Sequence, residues 1–369
     1  MAEPGGTLDT LLIAGARPNF MKIAPLVRAF DEVGLSRRLV HTGQHYDRKM
    51  SDTFFEELGI PQPDLNLGVG SGSHVHQIAE VMRGLEAEMT ANRPRVVVVV
   101  GDVNSTLAAA LTANKLGIAV AHVEAGLRSF DRGMPEEINR ILTDGIADWL
   151  YTTEPDANTN LAREGIAESR IRLVGNVMID TLFHQLETAR AGRPWARLGI
   201  EPQNYAVLTL HRPSNVDDPV RLESILRAIH ALSLRIPVIF AIHPRTRSRI
   251  AQFGFDQRPD LTGFQAVEPL PYREALGLVD SARLVLTDSG GLQEEASVLR
   301  VPCLTLRENT ERPITLETGA NRLVGWDTRV ILDAVDETLA GPVRVGQPPQ
   351  LWDGKAALRI ARHLREILP

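Results

Sequence analysis

The 369-residue chain has almost no cysteine: Cys303, in the apolar stretch Val301-Pro302-Cys303-Leu304, is the only one. A single thiol excludes an intrachain disulfide, and a reducing, cytoplasmic setting is expected. The first ten residues lack the charged-then-apolar layout of a secretory leader, and no apolar run approaches a membrane span. There is no basic stripe and no interleaving of aromatic with basic residues, and the formal net charge is −6, so a nucleic-acid partner is not expected. Gly-x-Ser-x-Gly is missing and Ser289 has no base beside it in sequence, which argues against a serine hydrolase. His74 and His76 alternate in a Gly/Ser-rich loop without Cys or carboxylate at ligand spacing, so no metal site is expected. Internal repeats and low-complexity tracts are also missing.

What is present is ordinary globular composition, 43% apolar and 23% charged, in a chain longer than one hydrophobic core usually supports. Short β-branched runs alternate with longer amphipathic stretches from end to end, the pattern of parallel sheets with crossover helices. The first series of strands is Leu11–Ala14, Arg38–His41, Val96–Val100, Ala119–Val123, Trp149–Thr152 and Arg172–Val174. A second series is Ala206–Leu210, Val238–Ile242, Leu284–Leu286 and Cys303–Leu306. The Arg/Gly/Pro-rich stretch Ala189–Asn204 separates them. The expectation is an α/β protein of two doubly wound, Rossmann-like domains, 1–185 and 186–352, facing a cleft. A terminal helix in 353–369 would pack back across the hinge.

Three acidic residues stand just past an apolar strand or a proline turn. Asp102 follows the five-valine run Val96–Val100 through Gly101, and Glu124 follows Ile118–Val123. Glu136 lies in Met134-Pro135-Glu136-Glu137-Ile138-Asn139-Arg140. Ligands of parallel α/β sheets bind beyond the carboxyl ends of the strands, so carboxylates there face a cleft and can serve as acid or base. The competing reading, helix capping, suits any one of them better than all three.

Other groups suit an anion. Strand one runs into Gly15-Ala16-Arg17-Pro18-Asn19-Phe20-Met21-Lys22, where a glycine turn opens a helix and Arg17 and Lys22 add positive charge. In the second half, Leu284-Val285-Leu286-Thr287-Asp288-Ser289-Gly290-Gly291 reads as strand, glycine turn and helix. Ser289 is placed to cap that helix, and the glycines let a pyrophosphate approach the backbone. Glu295, one turn further in, is suited to accept hydrogen bonds from ribose hydroxyls. The alternative there is a simple capped helix. His211 and His243 each end a strand beside an arginine, which suggests phosphate contacts or proton transfer. Arg307 and Arg312 flank Glu311 and extend the basic wall.

Taken together and in this order, the motifs resemble the non-hydrolysing UDP-N-acetylglucosamine 2-epimerases over nearly the whole chain. They run from Gly15-Ala16-Arg17-Pro18 through Gly101-Asp102, His122-Val123-Glu124-Ala125-Gly126-Leu127-Arg128, Pro135–Arg140, Gly175-Asn176, His211-Arg212 and Asp288–Glu295 to Thr310-Glu311-Arg312-Pro313. The resemblance implies a fold like that of the GT-B glycosyltransferases, a homodimer, and no metal or nicotinamide cofactor. It implies interconversion of UDP-GlcNAc and UDP-ManNAc through C2 deprotonation, loss of UDP to a 2-acetamidoglucal, and re-addition. By resemblance Asp102, Glu124 and Glu136 form the acid–base set, and His211 stabilises the leaving diphosphate or donates a proton. Arg17, Ser289 and Gly290 hold phosphates, with Lys22, Arg140 and Arg312 in support; Glu295 binds the ribose and His243 is a further candidate.

There are departures from the family pattern. Asn19 stands where Glu is common, and Gln44-His45 lacks the second Gln (Asp47) and the Arg (none in Gly68–Ser73) that accompany allosteric activation. Alternatives that stay open are a hydrolysing epimerase, an epimerase of a 2,3-diacetamido UDP-sugar, a GT-B glycosyltransferase and an inactive nucleotide-sugar sensor.

Overall fold

The computed structural model describes residues 8–15, 17–43, 55 and 57–368. The chain divides into two compact units, one running up to His184 and resumed from Gln350, the other Gln185–Pro349.

The first unit is built on a parallel sheet of β1 (Leu8–Ala14), β2 (Arg37–His41), β3 (Leu65–Asn66), β4 (Pro94–Val100), β5 (Ala119–Ala125), β6 (Trp149–Thr152) and β7 (Ile171–Leu173). Their order is β3-β2-β1-β4-β5-β6-β7. Val96–Val100 are all buried, because a central parallel strand is covered on both faces and reads as an unbroken β-branched run. The crossovers are α1 (Arg17–Val33), α2 (His74–Ala91), α3 (Asn104–Lys115), α4 (Pro135–Ile146), α5 (Pro155–Arg163) and α6 (Val177–Ala191). Leu11, Ile13, Val97, Val99, Val120 and Leu150 pack with helix residues such as Val81, Leu85 and Ala109 into one core.

The second unit repeats the design with β8 (Ala206–Thr209), β9 (Val238–Ala241), β10 (Gln265–Val267), β11 (Leu284–Thr287), β12 (Cys303–Thr305) and β13 (Asn321–Leu323). All pairings are parallel, in the order β10-β9-β8-β11-β12-β13. Its helices are α7 (Pro194–Arg197), α8 (Pro213–Val216), α9 (Pro219–Ser233), α10 (Pro244–Gln252), α11 (Tyr272–Asp280), α12 (Gly290–Leu299), α13 (Pro313–Glu317) and α14 (Thr328–Ala340). Leu208, Ile225, Phe240, Leu286 and Ile331 lie at the centre of its core. The last helix, α15 (Ala356–Ile367), belongs to the first unit and packs on α1. Asp180 of α6 caps it, accepting from the backbone N–H of Ala356 (3.1 Å) and Ala357 (2.7 Å).

The division falls after His184, inside α6, and the Arg/Gly/Pro-rich stretch Ala189–Asn204 follows close behind it. Gln185 is buried and accepts from Arg273 Nε at 2.6 Å, and Arg190 holds Asp280 at 2.8 Å. The last turns of the helix are thereby tied into the second unit. Within each sheet the strand order reverses once, between β1 and β4 and between β8 and β11. Ligand crevices of doubly wound sheets open at that reversal, past the carboxyl ends of the strands.

Candidate active site

Val100 pairs in register with Val123, so Gly101-Asp102 and Glu124 leave neighbouring parallel strands side by side. Glu124 is buried and holds a left-handed backbone, φ 73°, where the β5–β6 register shifts. A non-glycine residue there costs about 1–3 kcal/mol, which the surrounding structure must offset. Its Oε2 forms an ion pair with the Lys22 ammonium, and both side chains are buried. Gly101 has φ 66°, and a Cβ on it would stand 2.9 Å from Lys22 Nζ, so the turn needs glycine on both counts. Asn19 donates from Nδ2 to Val100 O at 3.1 Å, supporting the same turn.

Asp102 is gripped by α4. Arg140 Nη2 donates to its Oδ2 at 2.6 Å and Asn139 Nδ2 to its carbonyl at 2.9 Å. Arg140 Nη1 also donates to Glu137 Oε2 at 2.8 Å. Glu137 is buried and accepts from the backbone N–H of Ser129 (2.9 Å) and Phe130 (3.0 Å). Burial pushes the Glu137 carboxyl up, but the Ser129 N–H, Arg140 and the Phe130 N–H outweigh it and hold it below the usual range. Glu136, by contrast, is exposed in the first turn of α4. Lys22 and Arg140, expected in support of phosphates, thus each hold a carboxylate. The Arg17 side chain, like Gln44, His45 and Asp47, lies outside the described residues.

In the second unit His211 follows β8 and Asp288 follows β11, the two strands that flank the reversal. Asp288 is fully buried and accepts from the backbone N–H of His211 (3.0 Å) and Arg212 (2.8 Å), and its Oδ1 lies 2.8 Å from His211 Nδ1. Burial raises the Asp288 carboxyl, yet His211 and these N–H groups hold it below its usual range. It therefore accepts, fixing the His211 tautomer with a proton on Nδ1 and leaving Nε2 for chemistry. His243 caps α10, accepting at Nδ1 from Arg245 N–H at 3.2 Å, with its ring 6.1 Å from that of His211. Burial, then His211 and Arg245, push its pKa down.

Ser289 sits at the N-cap of α12, but its side chain makes no capping bond; its own N–H donates to Thr287 Oγ1 at 2.9 Å. A Cβ on Gly290 would meet nothing within 4 Å, so the side of this helix start is open to a ligand's approach. Glu295 is buried, and burial followed by the nearby Glu294 charge drives its carboxyl up to about 7 against the opposing Tyr272 hydroxyl. Arg312 forms an ion pair with buried Glu294. Arg307 grips Glu311 at 2.9 and 3.0 Å. Buried Gln293 accepts from Thr310 Oγ1 at 2.7 Å, pinning that loop to α12. Among the described residues no three His, Cys, Asp or Glu side chains converge as a metal would require.

The family model described as UDP-N-acetylglucosamine 2-epimerase matches residues 28–365. The chain belongs to this family. It is an epimerase. The UDP-N-acetylglucosamine 2-epimerase of Methanocaldococcus jannaschii is 44% identical over 360 residues, covering 96% of this chain and 98% of that protein. Its crystal structure in complex with UDP-GlcNAc and UDP superimposes with a TM-score of 0.87 over 97% of this chain and 99% of that one. The UDP-2,3-diacetamido-2,3-dideoxy-D-glucuronate 2-epimerase of Pseudomonas aeruginosa is 41% identical over 98% of this chain and all of its own length. The enzyme of Neisseria meningitidis, bound to UDP-GlcNAc, has a TM-score of 0.87 at 27% identity, covering 97% of this chain and 100% of that one. Two Rossmann-like units of GT-B kind are thus the family's fold and this epimerase's fold. Sequence reasoning named neither Asp288 nor Glu137 as a functional residue. Both lay inside quoted motifs, but only burial and partners distinguish a clamped carboxylate from a solvated one.

Proposed function

We propose that this epimerase interconverts UDP-GlcNAc and UDP-ManNAc without releasing free sugar. A carboxylate base takes the proton from sugar C2 while the C1–O bond to UDP breaks, giving 2-acetamidoglucal and UDP. A carboxylic acid then protonates C2 on the opposite face and UDP adds back at C1. Asp102, Glu124 and Glu136 are the acid–base set for the two faces, and His211 meets the leaving diphosphate through Nε2. Backbone donors of Ser289 and Gly290, with Arg17, hold the phosphates, and Glu295 takes the ribose hydroxyls; His243 and Arg312 support that half.

The observation carrying this reading is the pair Asp102 and Glu124, on adjacent strand ends and each clamped by its own cation, Arg140 and Lys22. Transfer to an acceptor needs at most one base, whereas exchange at both faces of C2 needs more than one group. The His211-Arg212 pair favours the non-hydrolysing course. A second reading, action on UDP-2,3-diacetamido-2,3-dideoxy-D-glucuronate, has the support of the 41% identical Pseudomonas enzyme. We also propose a cytoplasmic homodimer. The lone, buried Cys303 thiol suits a reducing compartment, and exposed Phe130 and Leu142, before and on α4, suit a subunit contact.

Proton NMR in D₂O with each sugar nucleotide tests this. Deuterium at C2 with UDP-ManNAc appearing and no lasting free sugar is the expected result. Free ManNAc plus UDP assigns a hydrolysing course, turnover of the diacetamido sugar alone assigns the second reading, and no exchange with either overturns both.

A further inference from the structure

His122 on β5 has no solvent exposure and is absent from the acid–base set, yet both of its ring nitrogens are committed. Nε2 lies 2.8 Å from the carbonyl of Gly101, the residue before Asp102. A carbonyl only accepts, so Nε2 carries a proton. Nδ1 lies 2.6 Å from Asp144 Oδ1. Burial raises the Asp144 carboxyl, but the His122 charge and hydrogen bond, then Arg128, outweigh it and hold Asp144 below its usual range. Asp144 Oδ2 takes the buried Arg128 guanidinium and the Gly126 N–H, so the carboxyl is ionised and can only accept from Nδ1, which carries a proton as well.

Arg128 fixes the same carboxylate in its charged form. Arg128 Nη2 contacts Asp144 Oδ2 at 2.7 Å and Glu164 Oε2 at 2.6 Å. Asp144 is thus held ionised by a buried guanidinium, and Glu164, at the surface, completes the pairing of Arg128.

The remaining partner is the backbone beyond Glu124: Gly126 N–H donates to Asp144 Oδ2 at 3.1 Å. Glu124 is therefore flanked by two residues, His122 and Gly126, that are both fastened to one carboxylate. Gly126 has φ 79°, and a Cβ on it would meet the Ala157 carbonyl at 2.5 Å, so this backbone runs close against α5 as well. Asp144 sits one turn past Arg140 on α4, and Arg140 and Asn139 of that helix hold Asp102. One helix thus fastens both carboxylates, with His122 the joint between the two strand ends.

We infer that His122, acting through Asp144, is a positioning residue for proton transfer, holding the left-handed backbone of Glu124 and the Gly101-Asp102 turn in register with each other. This rests on the proposed roles of Asp102 and Glu124. Neither residue of the joint touches substrate; its effect is on the aim of the groups that do, where a displacement of about 1 Å costs on the order of 10²-fold in rate.

The test uses the full-length enzyme and two variants that each keep half of the ring's bonding. His122→Asn retains a donor at the Nδ1 position and His122→Gln one at the Nε2 position. In both, kcat per UDP-titrated site falls on the order of 10²-fold and C2 deuterium exchange falls in parallel, while KM and the UDP Kd stay within about threefold. A purely structural role would lower the melting temperature or the titrated fraction and leave kcat per site unchanged, and that result overturns the inference. The wild-type protein gives an independent reading: ¹⁵N-histidine NMR of the folded, substrate-free enzyme shows one buried ring with two protonated nitrogens, removed by either variant. A buried ring with a single N–H overturns the joint even if neither variant folds. Should the wild-type enzyme turn over no sugar nucleotide, the functional reading fails while the NMR result still decides the geometry.

Discussion

The Nδ1 of His211 lies 2.8 Å from Oδ1 of Asp288, across the strand reversal of the second unit, and Asp288 also accepts two consecutive backbone N–H groups. The arrangement couples ring orientation to the β8 turn itself, so His211 cannot rotate without losing a buried partner. The ring is about two-fifths exposed while the carboxylate is wholly buried, which leaves only Nε2 to face a ligand.

Asp288→Asn keeps the shape and one acceptor oxygen but removes the charge that fixes the tautomer. The expected outcome is a loss in kcat on the order of 10²-fold or more. The discriminating measurement is the double variant: His211→Ala costs little further in the Asp288→Asn background, because residues acting as one unit are not additive. Additive losses would mean that Asp288 acts only by holding the loop.

Glu295 supplies a pH signature. Its carboxyl, ordinarily at 4.5, is driven up to about 7 in the fold. A raised acid binds its proton more tightly when folded, so its contribution is favourable below pH 4.5, is lost as pH rises through 7, and remains absent above. Two and a half units correspond to roughly 3 kcal/mol. Glu295→Gln should therefore be more stable than wild type at pH 8 by up to that amount and no more stable at pH 4, read from urea midpoints at the two values. The same substitution weakens UDP binding about tenfold at pH 8, since an amide oxygen replaces a charged acceptor for the ribose. An equal shift in stability at both pH values would disprove the buried ionisation.

The central strands were legible because burial on both faces leaves an uninterrupted apolar run, as in Val96–Val100 and Leu284–Leu286. The edge strands β3, β10 and β13 were not: two or three residues long and partly exposed, they carry no run to read. At the site, position at a strand end singled out Asp102, Glu124 and His211 as candidates. Sequence did not show that Glu137, beside Glu136, is buried and bound to Arg140, because adjacent helix residues differ by about 100° in direction and only the fold says which is inward. Nor could it say that Lys22 and Arg140 hold carboxylates. A cation in a glycine turn suits an anion of either kind, and the partner comes from a strand about a hundred residues away.

That last pairing yields a sharp test, because the two roles for Lys22 predict different failures. As a phosphate ligand, its removal would weaken UDP binding. As the partner of Glu124, its removal takes a buried ion-pair partner from that carboxylate, which is destabilising and favours the protonated form that cannot act as base. Lys22→Met should then leave the UDP Kd within about threefold, lower kcat on the order of 10²-fold or more, and reduce stability. Adding Glu124→Gln to Lys22→Met removes the buried carboxylate charge, so the double variant recovers part of the lost stability while staying inactive. Calorimetric UDP titration, urea unfolding and C2 deuterium exchange on the three proteins read these outcomes. A tenfold or larger rise in Kd for Lys22→Met, with no recovery of stability in the double variant, would return Lys22 to the phosphates.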